Sequence, residues 1–540
     1  MRMRRAHCIA LAAIFVYAIF IRAWNIGEPW GRHLLGMNGA WHSIIARNFL
    51  HYGLVALKGA PVLNASAGTA SDWTVYLHHP PLLDWLIALS FSIFGVHEWS
   101  ARLVVLIAAL GSIERVFTLA RRLFSDRAAV GAAFFLATLP VSAIYGMHVD
   151  FQGSVVLYFA LGAFCAYERF VRTGAQSYWF QLAGWTTLCC LTDWPGFYIP
   201  ILLLIHRVAL KNKQPLRWWV FLFGYCVFLL VLFFLYCLWV KGDLGFLFHQ
   251  FFRRSCSFRD DSGRAFGFAD WIRAIGHYLW TLYTLPVLVA FAIWTGQRVH
   301  DSIRRVADES QTHVWILIGF GVMHLVIPLQ AAYQHDCLVL YLSPGLSMCA
   351  ALVCQRLTRL GSIIHLSRSA RRFLYGTGVA CLVVGFSFQS IRYPSGMRSR
   401  ADIAYGYTSR ELGEMVRAHS QPGEGAIIAG EETCTPAVWF YADRPLNSFI
   451  WSIDSFREVL ERGRFWGPEC FEVQTDVPVT LFVMPKRFVS RYEELIAYVR
   501  SRCPERETRD FLLFEIATPL AFSGEPVLRI NQAQRGTSEQ

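Results

Sequence analysis

The sequence predicts a multi-span α-helical membrane protein, with about 11 transmembrane helices plus interfacial helices, followed by a small C-terminal α/β domain. Three observations carry this. Of 540 residues, 55% are apolar, 15% aromatic and only 16% charged, a balance that ordinary soluble domains do not show. The apolar residues gather into runs near the ~20 residues that a bilayer crossing needs. After residue 392 the pattern changes, and charges appear throughout. The formal net charge of +12 does not mark a nucleic-acid binder. Lys and Arg sit in short clusters between the apolar runs, where they act as topology signals.

Candidate spans are 6–23, 99–121, 127–146, 152–172, 178–193, 195–210, 217–240, 273–295, 313–332, 337–356 and 371–391. The stretch "MRMRRAHCIALAAIFVYAIFIRAW" has a basic start and an apolar run, with no small-residue cleavage site before Trp24. It reads as a retained anchor helix with its N-terminus in the cytoplasm. Alternation from that end then puts Arg121, Arg122 and Arg127 inside, with Arg169 and Arg172, Arg207 to Arg217, Arg298 to Arg305 and Arg356 to Arg372, as the positive-inside rule predicts. The scheme requires "PPLLDWLIALSFSIFG" (80–95) not to cross. Short, opened by two prolines and carrying Asp84, it reads as an interfacial helix. "GMNGAWHSIIARNFLHYG" (36–53) reads as a helix lying against the membrane or another helix, with Trp41, Ile44, Ile45 and Asn48 to Phe49 at helical spacing on one greasy face and Asn38 and Gly39 leading.

The outer, extracytoplasmic face therefore receives residues 24–98, the turns at His148 to Asp150 and Asp193 to Pro195, the loop 241–272, the turn Gln334 to Asp336, and everything after 392. A transmembrane domain over 1–392 is followed by an extracytoplasmic α/β domain over 393–540. That domain has candidate strands at 425–430, 479–485 and 510–516 and helices near 408–418 and 490–502. Of the 14 cysteines only Cys434, Cys470 and Cys503 lie in this polar part, where one disulfide can form and one thiol is left over. The cysteines show no zinc-like spacing, and no compact cluster of metal ligands is evident.

Polar groups concentrated at one membrane face, above an apolar body rich in Trp and Phe, suit a reaction on a substrate whose lipid part stays in the bilayer. Asp150 in "YGMHVDFQG" sits where a span meets the outer surface. Partial burial there raises a carboxyl pKa and readies it to take a proton; a helix N-cap is the alternative, and the two roles are compatible. In "YLHHPPLLDW" two prolines hold the chain extended and send His78 and His79 in different directions. These imidazoles either bind phosphate oxygens or an acceptor, or are structural. In "FHQFFRRSCSFRDDSGR", Arg253, Arg254 and Arg259 suit a phosphate or diphosphate, since guanidinium donors match its oxygens bidentately; snorkelling to lipid headgroups competes with that role. His335 and Asp336 occupy a tight outer turn. Asp193 in "LTDWPG" also ends a span, where capping competes with a site role.

In order, these features resemble the GT-C superfamily of polyprenyl-phosphate-dependent glycosyltransferases, in particular the protein O-mannosyltransferase and aminoarabinose-transferase-like family. That family has a first outer loop with an acid before an "IAR" helix, a "PPL" interfacial helix ending in an "LFG" turn, and a span opening with "ARL". The matching stretches are "NGAWHSIIARNFL", "HHPPLLDWLIALSFSIFGVHEWSARL", "RRLFSDRAA", "HVDFQG" and "QHDCLVLYLSP". Asp150 matches the acid of the second outer loop, and the motifs cover roughly the first 350 residues.

The resemblance implies a GT-C-like catalytic domain in the cell's inner (plasma) membrane. It moves a sugar from a polyprenyl-phosphate-linked donor to a glycan, lipid or protein acceptor on the outer face. Membrane lipids and the donor are its partners, and no metal cofactor is evident. It also implies that the first-loop acid is the catalytic base. Alignment on "IAR" puts Asn38 and Gly39 there, and an amide cannot take a proton. Three readings stay open: Asn38 orients the acceptor while Asp150, Asp72 or Asp84 takes the proton; the acceptor is already anionic; or the protein only binds. A transporter is the rival class, but its signature of two related halves with interrupted spans and polar groups at the midplane is not seen.

Overall fold

The computed structural model describes residues 5–63, 73–149, 153–209, 215–261, 263–304, 309–360, 369, 376–392, 406–429, 436–447, 450, 452–462, 464–466, 472–474 and 478–516. Asp72 and Asp150 lie outside them, as do Cys434 and Cys470. The chain divides into two compact units, Met1–Val62 with Val75–Ala401, and Leu63–Thr74 with Asp402–Gln540.

The first unit is helical. It runs α1 Arg5–Ala23, α2 Leu34–Tyr52, α3 Leu82–Phe94, α4 Glu98–Leu123, α5 Asp126–Thr138, α6 Pro140–Tyr145, α7 Gly153–Thr173, α8 Gln176–Thr192, α9 Tyr198–Ala209, α10 Leu216–Lys241, α11 Gly245–Cys256, α12 Phe268–Ile303, α13 Glu309–Val326, α14 Leu329–Gln334, α15 Ser343–Leu360 and α16 over 376–392. Among the described residues six segments are long and apolar enough to cross a membrane: α1, α4, α7, α10, α12 and Asp336–Thr358. The other expected spans contain shorter helices. At 13 residues α3 is about 20 Å long, too short to cross.

Physical breaks explain several of the short helices. Pro140 has no N–H and pushes the preceding residue out of the helical region. Leu139 accordingly takes φ −53° and ψ 129°, and the expected span 127–146 divides into α5 and α6. The carbonyl of Ala137 loses its helical partner there and instead accepts from Arg22 Nη1 at 3.0 Å, while Arg22 Nη2 donates to Ser142 Oγ at 3.0 Å. Arg22 is fully buried, which is tolerable only because these acceptors surround it. Gly146 is required beside it, since a Cβ would stand 2.7 Å from Arg22 Nε and 2.5 Å from the Ser142 carbonyl oxygen.

The helix α2 differs from its expected form. It starts at Leu34, and the imidazole Nδ1 of His33 caps it by accepting from Gly36 N at 3.2 Å. Asn38 and Gly39 thus lie one turn inside the helix and do not lead it. Nor is one face alone apolar and covered: His42, Ser43 and Asn48 are buried together with Ile44, Ile45 and Phe49, because α3 and α4 both pack on α2.

The second unit holds a five-stranded sheet in the order β2-β1-β5-β7-β6, from β1 Gly425–Ile428, β2 Leu446–Asn447, β5 Val479–Pro485, β6 Glu505–Glu507 and β7 Phe511–Glu515. The strands β2, β1 and β5 run parallel, whereas β7 is antiparallel to β5 and to β6. Strands β3 Arg464–Trp466 and β4 Glu472–Gln474 form a separate antiparallel pair. The helices are α17 Ser409–Ala418, α18 Pro436–Ala442, α19 Ile453–Arg462 and α20 Glu493–Arg500. Phe456, Phe482, Leu495, Val499 and Phe514 form the core. Cys503 is a free thiol.

Candidate active site

The segment before α3 is fixed from both sides. Leu77 is fully buried among Phe233, Cys237 and Leu247 of α10 and α11. Tyr76 N donates to the Pro61 carbonyl at 2.8 Å, Trp194 Nε1 donates to the His78 carbonyl at 2.8 Å, and Lys241 Nζ donates to the Val75 carbonyl at 3.1 Å. The two histidines then diverge. His78 stacks between Tyr76, centroids 4.8 Å apart, and Phe246, 5.7 Å apart. His79 Nδ1 pairs with Asp193 Oδ1 at 2.7 Å, and that oxygen also accepts from Trp194 N at 2.7 Å. Asp193 is therefore both a cap, for the 3-10 turn Trp194–Phe197, and the partner of His79.

The arginines lie on α11. Arg253 Nη2 donates to Asp261 Oδ1 at 2.6 Å, and Arg254 Nη1 reaches both oxygens of the same carboxylate at 3.2 Å. Arg254 also donates to Gln330 Oε1 at 2.9 Å and Gln334 Oε1 at 3.2 Å on α14. Two guanidiniums sharing one carboxylate are placed to share one bidentate anion. Burial would raise the Asp261 carboxyl, but Arg254, the Gln330 amide and Arg253 together hold it below the usual range. Arg259 turns away to the Gly263 carbonyl of its own loop. Next to α14, Asp336 accepts from Tyr145 OH at 2.6 Å, which ties α6 to the His335–Asp336 turn.

Charge links these groups into one belt. Burial pushes His78 down to about 3, helped by the neighbouring imidazole of His79 and by Lys241, Arg254 and Arg253. Burial likewise takes His335 down to about 4, helped by Arg254 and opposed by Asp261 and Asp336. Both imidazoles are neutral at pH 7, so the positive charge facing an anion comes from Arg253, Arg254 and Lys241. Free imidazoles protonate near pH ~6.5. The unfolded chain therefore binds more protons than the folded one as pH falls from there, and stability drops. Thermal melts in detergent should show the midpoint falling as pH drops from about 6.5 towards the folded-state values of about 4 and about 3, with a shallower fall for His78→Phe combined with His335→Gln. A slope equal to wild type in the double variant would contradict this.

The belt thus brings together His78, His79, Asp193, Arg253, Arg254, His335 and Asp336. The helix that carries Asn38 reaches the belt through Trp41, one turn on, which meets Tyr76 edge-on at 5.4 Å, and Tyr76 stacks on His78. Lys241, Asp261, Gln330, Gln334 and Tyr145 complete the belt without having been singled out from the sequence. Lys241 ends an apolar run like any topology signal, Gln330 has no motif, and Gln334 enters only as the first residue of the outer turn in "QHDCLVLYLSP". No group of three or more His, Cys, Asp or Glu positioned to hold a metal ion occurs among the described residues.

A multi-pass helical body with short helices inserted before α4 and a polar belt beside them has the GT-C fold. The resemblance carried by the motifs is borne out: residues 78–239 match the family model for dolichyl-phosphate-mannose-protein mannosyltransferase. ArnT from Cupriavidus metallidurans bound to undecaprenyl phosphate superposes with a TM-score of 0.62 at 14% identity, covering 95% of this chain and 98% of that one. Its apo state gives 0.63 at 15% identity, covering 96% and 100%. The archaeal oligosaccharyltransferase AglB from Archaeoglobus fulgidus, in complex with an inhibitory peptide and a dolichol-phosphate, gives 0.52 at 12% identity, covering 94% and 74%. An uncharacterized protein of Aquifex aeolicus (strain VF5) is 27% identical over 194 residues, 34% of this chain and 36% of that protein. The match thus spans about a third of that relative.

Proposed function

We propose that the protein is a glycosyltransferase of the inner membrane, with a cytoplasmic N-terminus and an extracytoplasmic C-terminal domain. It moves a hexosyl or pentosyl group from a polyprenyl-phosphate-linked donor to an acceptor on the outer face. The observation that carries this reading is the convergence of Arg253 and Arg254 on the single carboxylate of Asp261, whose place a lipid phosphate would take, with Lys241 and neutral His78 nearby, in a fold whose solved relatives hold undecaprenyl phosphate or dolichol-phosphate. In this reading the cations take the lipid phosphate and stabilise the charge that develops as it departs. Neutral His78 and His335 serve as hydrogen-bonding walls. Asn38 and Asp150 belong to the acceptor side, Asn38 orienting the nucleophile through its amide.

The test is sugar transfer by the protein in nanodiscs, using labelled polyprenyl-phosphate hexoses and pentoses with hydroxyl-bearing lipid, glycan and peptide acceptors. Transfer with release of polyprenyl phosphate is the expected result, and Asp150→Asn, which alters a group positioning the acceptor, should lower it about 100-fold without loss of folding. Binding of polyprenyl phosphate without transfer from any donor would reduce the protein to a lipid-binding relative.

A further inference from the structure

The start of α3 carries a second imidazole–carboxylate pair beside His79–Asp193. Asp84, in the first turn of α3, is 3% exposed, and its Oδ1 lies 2.6 Å from Nδ1 of His42 on α2. A carboxylate buried this deeply is costly without a partner, and the His42 imidazole supplies one. The bond assigns the ring proton to Nδ1 and leaves the Nε2 lone pair as an acceptor. His42 keeps 9% of its side-chain surface accessible, against 4% for Asp84. The carboxylate, the more deeply buried of the two, is placed to orient the imidazole.

Position ties this pair to the site. His42 follows Asn38 by four residues on α2 and so shares its face. Its neighbour Trp41 meets Tyr76, which stacks on His78 and lies 6.2 Å from His79. Asp84 is five residues beyond His79, across the Pro80–Pro81 turn. The segment from His79 to Asp84, which leads into α3, thus contributes one member to each of two His–Asp pairs, while Asn38, being an amide, cannot take a proton.

We infer that His42 is the general base for the acceptor, oriented by Asp84, and that the acceptor nucleophile is a neutral hydroxyl rather than a phosphate or carboxylate; this rests on the sugar-transfer reading above. Nε2 takes the hydroxyl proton as the acceptor oxygen forms its bond to the anomeric carbon. The anomeric C–O bond breaks with its electron pair going to the polyprenyl phosphate, which leaves beside Arg253 and Arg254. Asp84 stabilises the imidazolium until its proton passes to water.

His42→Ala should lower kcat about 100-fold or more, while polyprenyl phosphate affinity and the melting temperature stay near wild type. Added imidazole should restore at least about tenfold of the lost rate by occupying the vacated space. Asp84→Asn should also lower kcat, and the double variant should lose little more than His42→Ala alone, since the two act as a unit. Retention of kcat within about threefold in His42→Ala would overturn the inference alone. So would a loss that imidazole does not rescue in a variant that melts and binds lipid normally, and so would parallel loss of melting temperature and lipid affinity, the behaviour of a merely structural pair. A wild-type protein that transfers no sugar sinks the sugar-transfer reading, and this inference with it.

Discussion

Replacing Arg253 and Arg254 together by Ala is expected to weaken polyprenyl phosphate binding by about 100-fold or more. A hydrogen bond to a charged group contributes about 1.5–3 kcal/mol, so two arginines account for roughly 3–6 kcal/mol, and each 1.4 kcal/mol is tenfold. Arg254 should dominate, because it is the better buried of the two and Gln330 and Gln334 hold it in place. Arg253 is nearly half exposed, where solvent screening reduces the value of a single pair. Competition binding with undecaprenyl phosphate in nanodiscs measures the effect. Arg273→Ala, which removes an exposed guanidinium paired with Asp270 three residues before it, is the control and should bind as wild type. Equal affinity in the double variant would mean that both arginines only snorkel to headgroups.

Much of the helical body was legible because a bilayer imposes length and polarity on every crossing segment. The ends of α1, α4, α7 and α10 fall within a few residues of their expected positions for that reason. The break at Leu139 was written in Pro140, but its consequence was not: nothing in the sequence says that Arg22, more than 100 residues away, would bond the freed Ala137 carbonyl. The site shows the same division. His78, His79, Arg253 and Arg254 stood out as polar groups at an outer face. Asp84 stood out as an acid in an apolar helix, yet its partner His42 did not, since a histidine on an amphipathic helix has no signature until a second helix brings a carboxylate to it. Asp261 lay in a quoted loop beside Asp260, and only the folded loop distinguishes the carboxylate that both arginines share.

The pair Asn38–Gly39 gives the last prediction, because the structure separates two reasons for the absence of an acid there. Gly39 lies within α2, where exchange to Ala would ordinarily favour a helix by about 1 kcal/mol. Here the added Cβ would stand 2.1 Å from Cζ3 of Trp30. That ring cannot retreat: it is 1% exposed, the Arg102 guanidinium lies over it at 4.0 Å, and Arg102 is itself held by the Ile26 carbonyl at 2.8 Å and the Glu28 carbonyl at 2.5 Å. Overpacking against a pinned ring costs roughly 1–3 kcal/mol or more, so it outweighs the helix gain. Gly39→Ala should therefore lower the melting temperature in detergent, and Gly39→Glu should fail to give folded protein. Combining Gly39→Ala with Trp30→Leu should recover part of the loss, as expected for neighbours that share one space. Asn38→Asp adds no atoms and should fold as wild type, so the acid is excluded by packing at Gly39 but not at Asn38. A Gly39→Ala variant melting at or above wild type would show that Trp30 yields, and that packing does not keep an acid out of this turn.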